Sequence, residues 1–177
     1  MKIVDNVVYT TDRSDSVAKS FTTDGKPLME LGTRGQHSDT GNVTDWLAER
    51  AAGPFNHPTE MIAHLNGDLY VTDGYRNARV HRFARDGRLV KSWGAPGKAE
   101  GQFHLPHSIA FDDDGKLYVA EQEDGGKPAY VCVRDGQGNV LARMESRHVH
   151  GVGVDSRGDI YAGLTTERSV DKFVRTG

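Results

Sequence analysis

The sequence predicts an all-β fold, a β-propeller of about four four-stranded blades, and three observations predict it. One strand recurs, as Val7-Val8-Tyr9-Thr10-Thr11-Asp12, Asp68-Leu69-Tyr70-Val71-Thr72-Asp73, Lys116-Leu117-Tyr118-Val119-Ala120-Glu121 and Asp159-Ile160-Tyr161-Ala162-Gly163. Its tyrosines are 48 residues apart from Tyr70 to Tyr118 and 43 apart from Tyr118 to Tyr161, the period of propeller blades. Every copy after the first follows a polar turn, Asn66-Gly67, Asp114-Gly115 or Arg157-Gly158, of the kind that tight hairpins require.

The elements follow in order. The first blade unit, residues 1–32, opens on what reads as the tail of an innermost strand at positions 1–4, so this blade is expected to be incomplete. Strands at 7–12, 17–21 and 28–31 complete it, with the turn Asp24-Gly25 between the last two. Residues 33–53 break the repeat. They are polar and Gly-rich, with a brief helix expected over 44–52, capped by Thr44 and closed by Gly53. This insertion is either a surface excursion or a lid or partner-binding loop. The second unit, 54–94, holds strands at 58–63, 68–73, 80–83 and 89–93. The third, 103–144, holds an inner strand at 106–111, the tyrosine strand, an apolar run at 130–133 and a strand at 140–144. The fourth, 148–175, holds strands at 150–154, 159–163 and 170–173. The whole of 1–177 reads as one domain.

Composition narrows the function. The 177 residues carry 22 Lys and Arg against 25 Asp and Glu, a net charge of −3, which argues against nucleic acid or an anionic membrane as a general partner. The basic run Arg76, Arg79, Arg82, Arg85, Arg88 and Lys91 falls on outer strands and reads as a solvated face rather than an RNA surface. Leu, Ile, Val and Phe make up about 21% of the chain, so thin repeated layers fit better than one thick core. Val outnumbers Ile by 17 to 4, as β-branched strands favour. No apolar stretch approaches the ~20 residues of a membrane span, and the start lacks the apolar core of a secretory signal. A cytoplasmic location is the expectation. The single cysteine, Cys132, excludes an internal disulfide framework and is expected to be a buried, inert thiol.

In a propeller the start of an inner strand and the end of the next strand share one rim. That brings together two groups of residues: Thr59, His107 and His150, at equivalent inner-strand starts, and Arg13, Asp73, Gly74, Tyr75, Glu121 and Gln122, at the connecting loops. His107 and His150 each precede their repeat's tyrosine by 11 residues, so they occupy the same register. Two imidazoles so placed can bind zinc, which takes nitrogen ligands and keeps a position open when catalytic. His57 is a weaker candidate. His37 and His148 lie near rims, while His64 and His81 read as surface or strand residues.

The strings Pro54-Phe55-Asn56-His57-Pro58-Thr59, Asp73-Gly74-Tyr75-Arg76-Asn77-Ala78-Arg79 and Phe103-His104-Leu105-Pro106-His107-Ser108 resemble NHL-repeat propellers. They resemble most the peptidylamidoglycolate lyase branch, zinc lyases that release amidated peptides from hydroxyglycine precursors. The resemblance covers residues 7–32 and 54–175. It implies a metal-dependent lyase acting on a small hydroxy-acid or peptide-terminal substrate, with zinc on His107 and His150, and Tyr75 as the base. It also implies a structural calcium ion. Arg13 is a candidate to hold a substrate carboxylate, with Thr59, Gln122 and Asp73 beside it. Two departures stand against this. The loop arginine of the family is replaced by Gln122 within Ala120-Glu121-Gln122-Glu123-Asp124, and the position of a third histidine, counted back from Tyr9, falls before residue 1. A fragment, a ligand from a partner chain, or loss of the metal would each account for that. The family's propellers have six blades, so open strand edges lead us to expect a homo-oligomer or an upstream segment. The competing expectation is a non-catalytic NHL scaffold that binds a protein or, less in keeping with the charge, RNA.

Overall fold

The computed structural model describes residues 1–41, 44–45, 48–97, 99–122 and 128–176. It is a four-bladed β-propeller in which each blade is one antiparallel sheet of consecutive strands. The first blade is β1 (Lys2–Val4), β2 (Val7–Asp12), β3 (Val17–Thr22) and β4 (Pro27–Leu31). The second is β5 (Pro58–Ala63), β6 (Leu69–Asp73), β7 (Arg79–Phe83) and β8 (Leu89–Trp93). The third is β9 (Pro106–Phe111), β10 (Leu117–Glu121), β11 (Ala129–Arg134) and β12 (Val140–Ser146), and the fourth is β13 (Val149–Val154), β14 (Ile160–Leu164) and β15 (Ser169–Phe173).

The repeated turns close as expected. At Asn66-Gly67 the chain reverses with φ +87° at Gly67, whose amide donates to His64 O at 2.8 Å, a conformation that costs a residue with a Cβ. The tyrosine strands of the two middle blades, β6 and β10, are buried along their whole length. The innermost strands pack side by side, β1 and β2 on β5, β5 on β9, and β9 on β13.

The core is layered between blades. Tyr9, Leu31, Phe55, Met61, Val71 and Phe83 fill the first junction. Tyr70, Val80, Trp93, Phe103, Ile109 and Val119 fill the second, and Tyr118, Val131, Val133, Val152, Ile160 and Leu164 fill the third. Burying one such aliphatic side chain contributes about 1.5–3 kcal/mol.

One expectation holds and one is corrected. The innermost strand of the first blade is short, as expected: β1 has three residues against six in β5, β9 and β13, and pairs with β2 through Lys2, Ile3 and Val4, while the three-stranded sheet is the fourth. The helix expected at 44–52 is not formed by its described residues, and positions 46 and 47 lie outside them. The amides of Glu49 and Arg50 both donate to Thr40 O at 3.2 Å, Ala48 packs towards the Trp93–Phe103 layer, and Asp45 is drawn to arginines of the blades. These tertiary contacts outweigh a weak local propensity. No described helix is long and apolar enough to cross a membrane. Cys132 is a buried free thiol, and burial pushes it up in pKa, as an inert role requires.

Candidate functional site

His107 and His150 are each the second residue of an innermost strand, β9 and β13. Because those strands are neighbours around the axis, the two rings meet, with centroids 3.8 Å apart and planes tilted by 45°. They line a central cavity of about 520 Å³ together with Lys2, Thr59, Glu60 and Ser108 from three innermost strands and Tyr161 from β14.

The tautomer of His107 follows from its partners. Its Nδ1 lies 2.9 Å from His150 O, a carbonyl that can only accept, so Nδ1 carries the proton. Nε2 is then a lone pair, and it accepts the Tyr75 hydroxyl at 2.8 Å. Burial and the neighbouring His150 pull His107 down to about 4, and burial also lowers His150, so both imidazoles are neutral at pH 7. A buried neutral ring whose Nδ1–H is held by a carbonyl is how a protein presents Nε2 to a metal. That donor set fits zinc as a two-nitrogen site, its other positions left to water or substrate oxygen. No group of three or more His, Cys, Asp or Glu side chains able to hold a metal occurs among the described residues.

Tyr75 stands edge-on to the His107 ring, with centroids 5.4 Å apart. The Arg13 guanidinium lies over the Tyr75 ring, 4.4 Å from its centre. Burial raises the Tyr75 pKa more than Arg13 lowers it, so in this structure the phenol is a proton donor. Its loop is held close by Gly74. A Cβ there would lie 2.2 Å from Pro106 O, so only glycine lets the loop reach the third blade.

Arg13 forms an ion pair with Asp45, and its Nε reaches His57 Nδ1 at 3.4 Å. Thr59 lines the cavity, but its hydroxyl lies within 3.0 Å of Thr72 O, Thr72 Oγ1 and Pro106 O and joins the second and third blades. Asp73 is fully buried. Its carboxylate receives the Asn56 amide at 3.0 Å, Asn77 Nδ2 at 2.8 Å and His81 Nε2 at 3.1 Å, which makes it an anchor for the Tyr75 loop. Gln122 and Glu121 do not line the cavity. The Gln122 amide bonds Leu105 O, and the buried Glu121 carboxylate receives the His104 amide and Arg143. Glu123 and Asp124 of that loop lie outside the described residues.

The sequence reading missed three features. His81, expected to be a surface or strand residue, is a fully buried link between Asp73 and Ser92 Oγ, which is 2.7 Å away. Glu60 takes Ser108 Oγ at 2.7 Å and the Ile109 amide at 2.9 Å, and so ties β5 to β9. Asp45 sits in the insertion, where no repeat register points to it. Within the basic run, Arg76 pairs with Asp45, Arg82 with Asp68, and Lys91 donates to Gln137 O.

Fold and repeats together define a four-bladed β-propeller whose sequence relatives include NHL repeat-containing proteins and amidating lyases. No family model matches the chain. It is similar to peptidyl-glycine alpha-amidating monooxygenase A of Xenopus laevis, 30% identical over 118 residues, which is 61% of this chain and 12% of that protein. It is similar to NHL repeat-containing protein 3 of Homo sapiens, 27% identical over 119 residues, 66% of this chain and 31% of that one. Peptidyl-alpha-hydroxyglycine alpha-amidating lyase 1 of Drosophila melanogaster is 29% identical over 115 residues, 59% of this chain and 18% of the lyase. The match therefore spans less than a third of each relative. Among solved structures, the WD40 β-propeller domain of Doa1 superposes on 97% of this chain and 47% of its own with a TM-score of 0.63. Its 11% identity makes this a likeness of fold alone.

Proposed function

We propose that this propeller is a metal-dependent lyase acting on a small hydroxyglycine-like or hydroxy-acid substrate at the His107–His150 cavity. The observation that carries the reading is the convergence of the two neutral imidazoles, 3.8 Å apart, with the Tyr75 hydroxyl 2.8 Å from His107 Nε2. The similarity to proteins named as amidating lyases supports it.

His107 Nε2, once the Tyr75 hydroxyl has moved off its lone pair, and a nitrogen of His150 would hold zinc. When bound, zinc supplies a Lewis-acid charge beside the Tyr75 hydroxyl and the substrate hydroxyl. Tyr75 Oη, its own proton first lost to water, takes the proton of the substrate hydroxyl as the carbon–nitrogen bond breaks and a carbonyl forms, and passes that proton to the leaving amide nitrogen. Arg13, stacked on the Tyr75 ring, favours the phenolate that this step needs. Asp73 and Gly74 keep the loop in place.

A native mass spectrum of protein loaded with zinc reads metal and copy number together. One zinc per chain, lost in His107→Ala and His150→Ala, and cleavage of a hydroxyglycine-terminated peptide that falls at least 100-fold in Tyr75→Phe, is the expected result. The open edge of β15 leads us to expect more than one chain. No zinc and no cleavage favours the second reading, a protein-binding NHL scaffold, supported by a donor set of two and by the similarity to an NHL repeat-containing protein.

A further inference from the structure

The third blade carries a second cavity, of about 200 Å³, that the lyase reading does not use. Gly101, Gln102, Cys132, Arg134, Val140 and Arg143 line it, and none of them lines the central cavity. Strand register explains the grouping. Cys132 and Arg134 are two residues apart on β11 and so share a face, and Cys132 pairs with Arg143 of β12. The loop before β9 forms the facing wall. Gln102 Oε1 accepts the Ala99 amide at 2.8 Å, so Nε2 is the end of that side chain left to donate. Gly101 takes φ +82° with open space where a Cβ would stand, which keeps this wall low.

Arg134 is the unusual member. It is 2% exposed and carries five N–H donors. Among the described residues its one hydrogen bond runs from Nη1 to Gly138 O at 2.9 Å, and its Nε is buried without an acceptor. Its other neighbours are soft: the face of Phe103, 4.2 Å from the guanidinium, and the Cys132 sulfur. Burial raises the pKa of that thiol, so it stays neutral and brings no competing charge. A buried cation with unanswered donors is costly, and folded proteins supply such groups with a partner. The buried Glu121 carboxylate lies outside the cavity lining and already takes Arg143 Nη2 at 3.3 Å and the His104 amide at 3.1 Å. Glu100 is exposed at the mouth. Two guanidiniums therefore face a space from which the buried acid is absent.

We propose that this cavity binds a phosphate group between Arg134, Arg143 and Gln102. The donors come from three segments, β11, β12 and the loop before β9, and so suit the several oxygens of a tetrahedral oxyanion. Val140 and Ala99 add apolar wall beside them, so the cavity accepts a short organic group as well. Free phosphate and a phosphate monoester share this chemistry. The site stands apart from the lyase reading and needs neither the metal nor Tyr75.

The test uses the full chain in the presence of a chelator. Inorganic phosphate, phenyl phosphate and benzoate are titrated by calorimetry at constant ionic strength. Both phosphates should bind with a Kd of about 1 mM or tighter, and benzoate about 10-fold more weakly. The tighter of the two phosphates tells a monoester site from a free-ion site, and either result supports the phosphate group. Arg134→Gln should weaken phosphate about 10-fold, and so should Val140→Phe, which keeps both guanidiniums and fills the space. In the unaltered protein, phosphate but not benzoate should move the Arg134 Nε–H resonance, a readout that needs no variant to fold. No saturable phosphate binding, benzoate bound as tightly as phosphate, affinity retained in Arg134→Gln or Val140→Phe, or an unmoved Arg134 resonance would each overturn the site.

Discussion

The second and fourth blades carry the same repeat and are built to different standards. In the second, Asp73, His81 and Asn77 are buried side chains bonded to one another, and Ser92 and the Asn56 amide extend the network. In the fourth, the inner strands carry Gly151, Gly153 and Gly163, the sheet stops at three strands, and Val170 stands 62% exposed on the last. The candidate site lies between these extremes. Tyr75 is mounted on the well-tied blade, His107 on the blade next to it, and His150 on the lean one. The tighter packing is therefore on the Tyr75 side, while the second imidazole comes from a strand with fewer constraints.

The largest expected effect is in the second blade. Asp73→Ala strips buried partners from His81, Asn77 and the Asn56 amide and should cost about 3–5 kcal/mol in denaturant unfolding. The fourth blade has Leu164 where the second has Asp73, and its third-strand acid, Asp171, in the register of His81, pairs with Arg147 at 3.0 Å; that arginine is 63% exposed, so Asp171→Ala should stay within about 0.5 kcal/mol. Equal losses would dissolve the contrast. Met61→Ala, in the layer between the first and second blades, should cost about 2–4 kcal/mol by leaving a cavity.

Acid gives the next effect. His107 and His57 are held at about 4 in the folded protein, against about 6.5 when unfolded. Between those values the unfolded chain binds more protons, so metal-free stability should fall as pH drops from 6.5 towards 4 and be flat above 7. For His107 the loss is on the order of 2 kcal/mol. A stability that rises on acidification would contradict the neutral pair. Smaller again is Tyr75→Phe, which removes one hydrogen bond to His107 and should cost about 1 kcal/mol of stability, whatever it does to the proposed turnover. Hydrogen exchange can sharpen the comparison without any substitution: amides of β6 and β7 should be protected longer than those of β14 and β15.

Much of this was legible in the sequence. The tyrosine and the turn before it mark each blade, and counting from Tyr118 and Tyr161 places His107 and His150 in one register. What stayed hidden has physical causes. His81 lies in an alternating strand, where a histidine reads as a polar face; its burial depends on Asp73 and Ser92, which are distant neighbours in sequence. Asp45 belongs to a segment with no repeat, so nothing assigns it a place until Arg13 and Arg76 are seen together. Thr59 and Asp73 were found by position, but position does not reveal that blade-to-blade bonds already occupy their oxygens. Gln122 follows Glu121 as Gly74 follows Asp73, but register alone does not reveal that it stays out of the cavity lining.

The contact at Gly74 reaches beyond this site. Because the backbone there touches a carbonyl of the neighbouring blade, a single methyl group would act as a wedge between two modules, and the tyrosine would swing with it. Anyone recoding this loop to accept a new substrate therefore has freedom at the residues that face the ligand and none at the pivot that aims them.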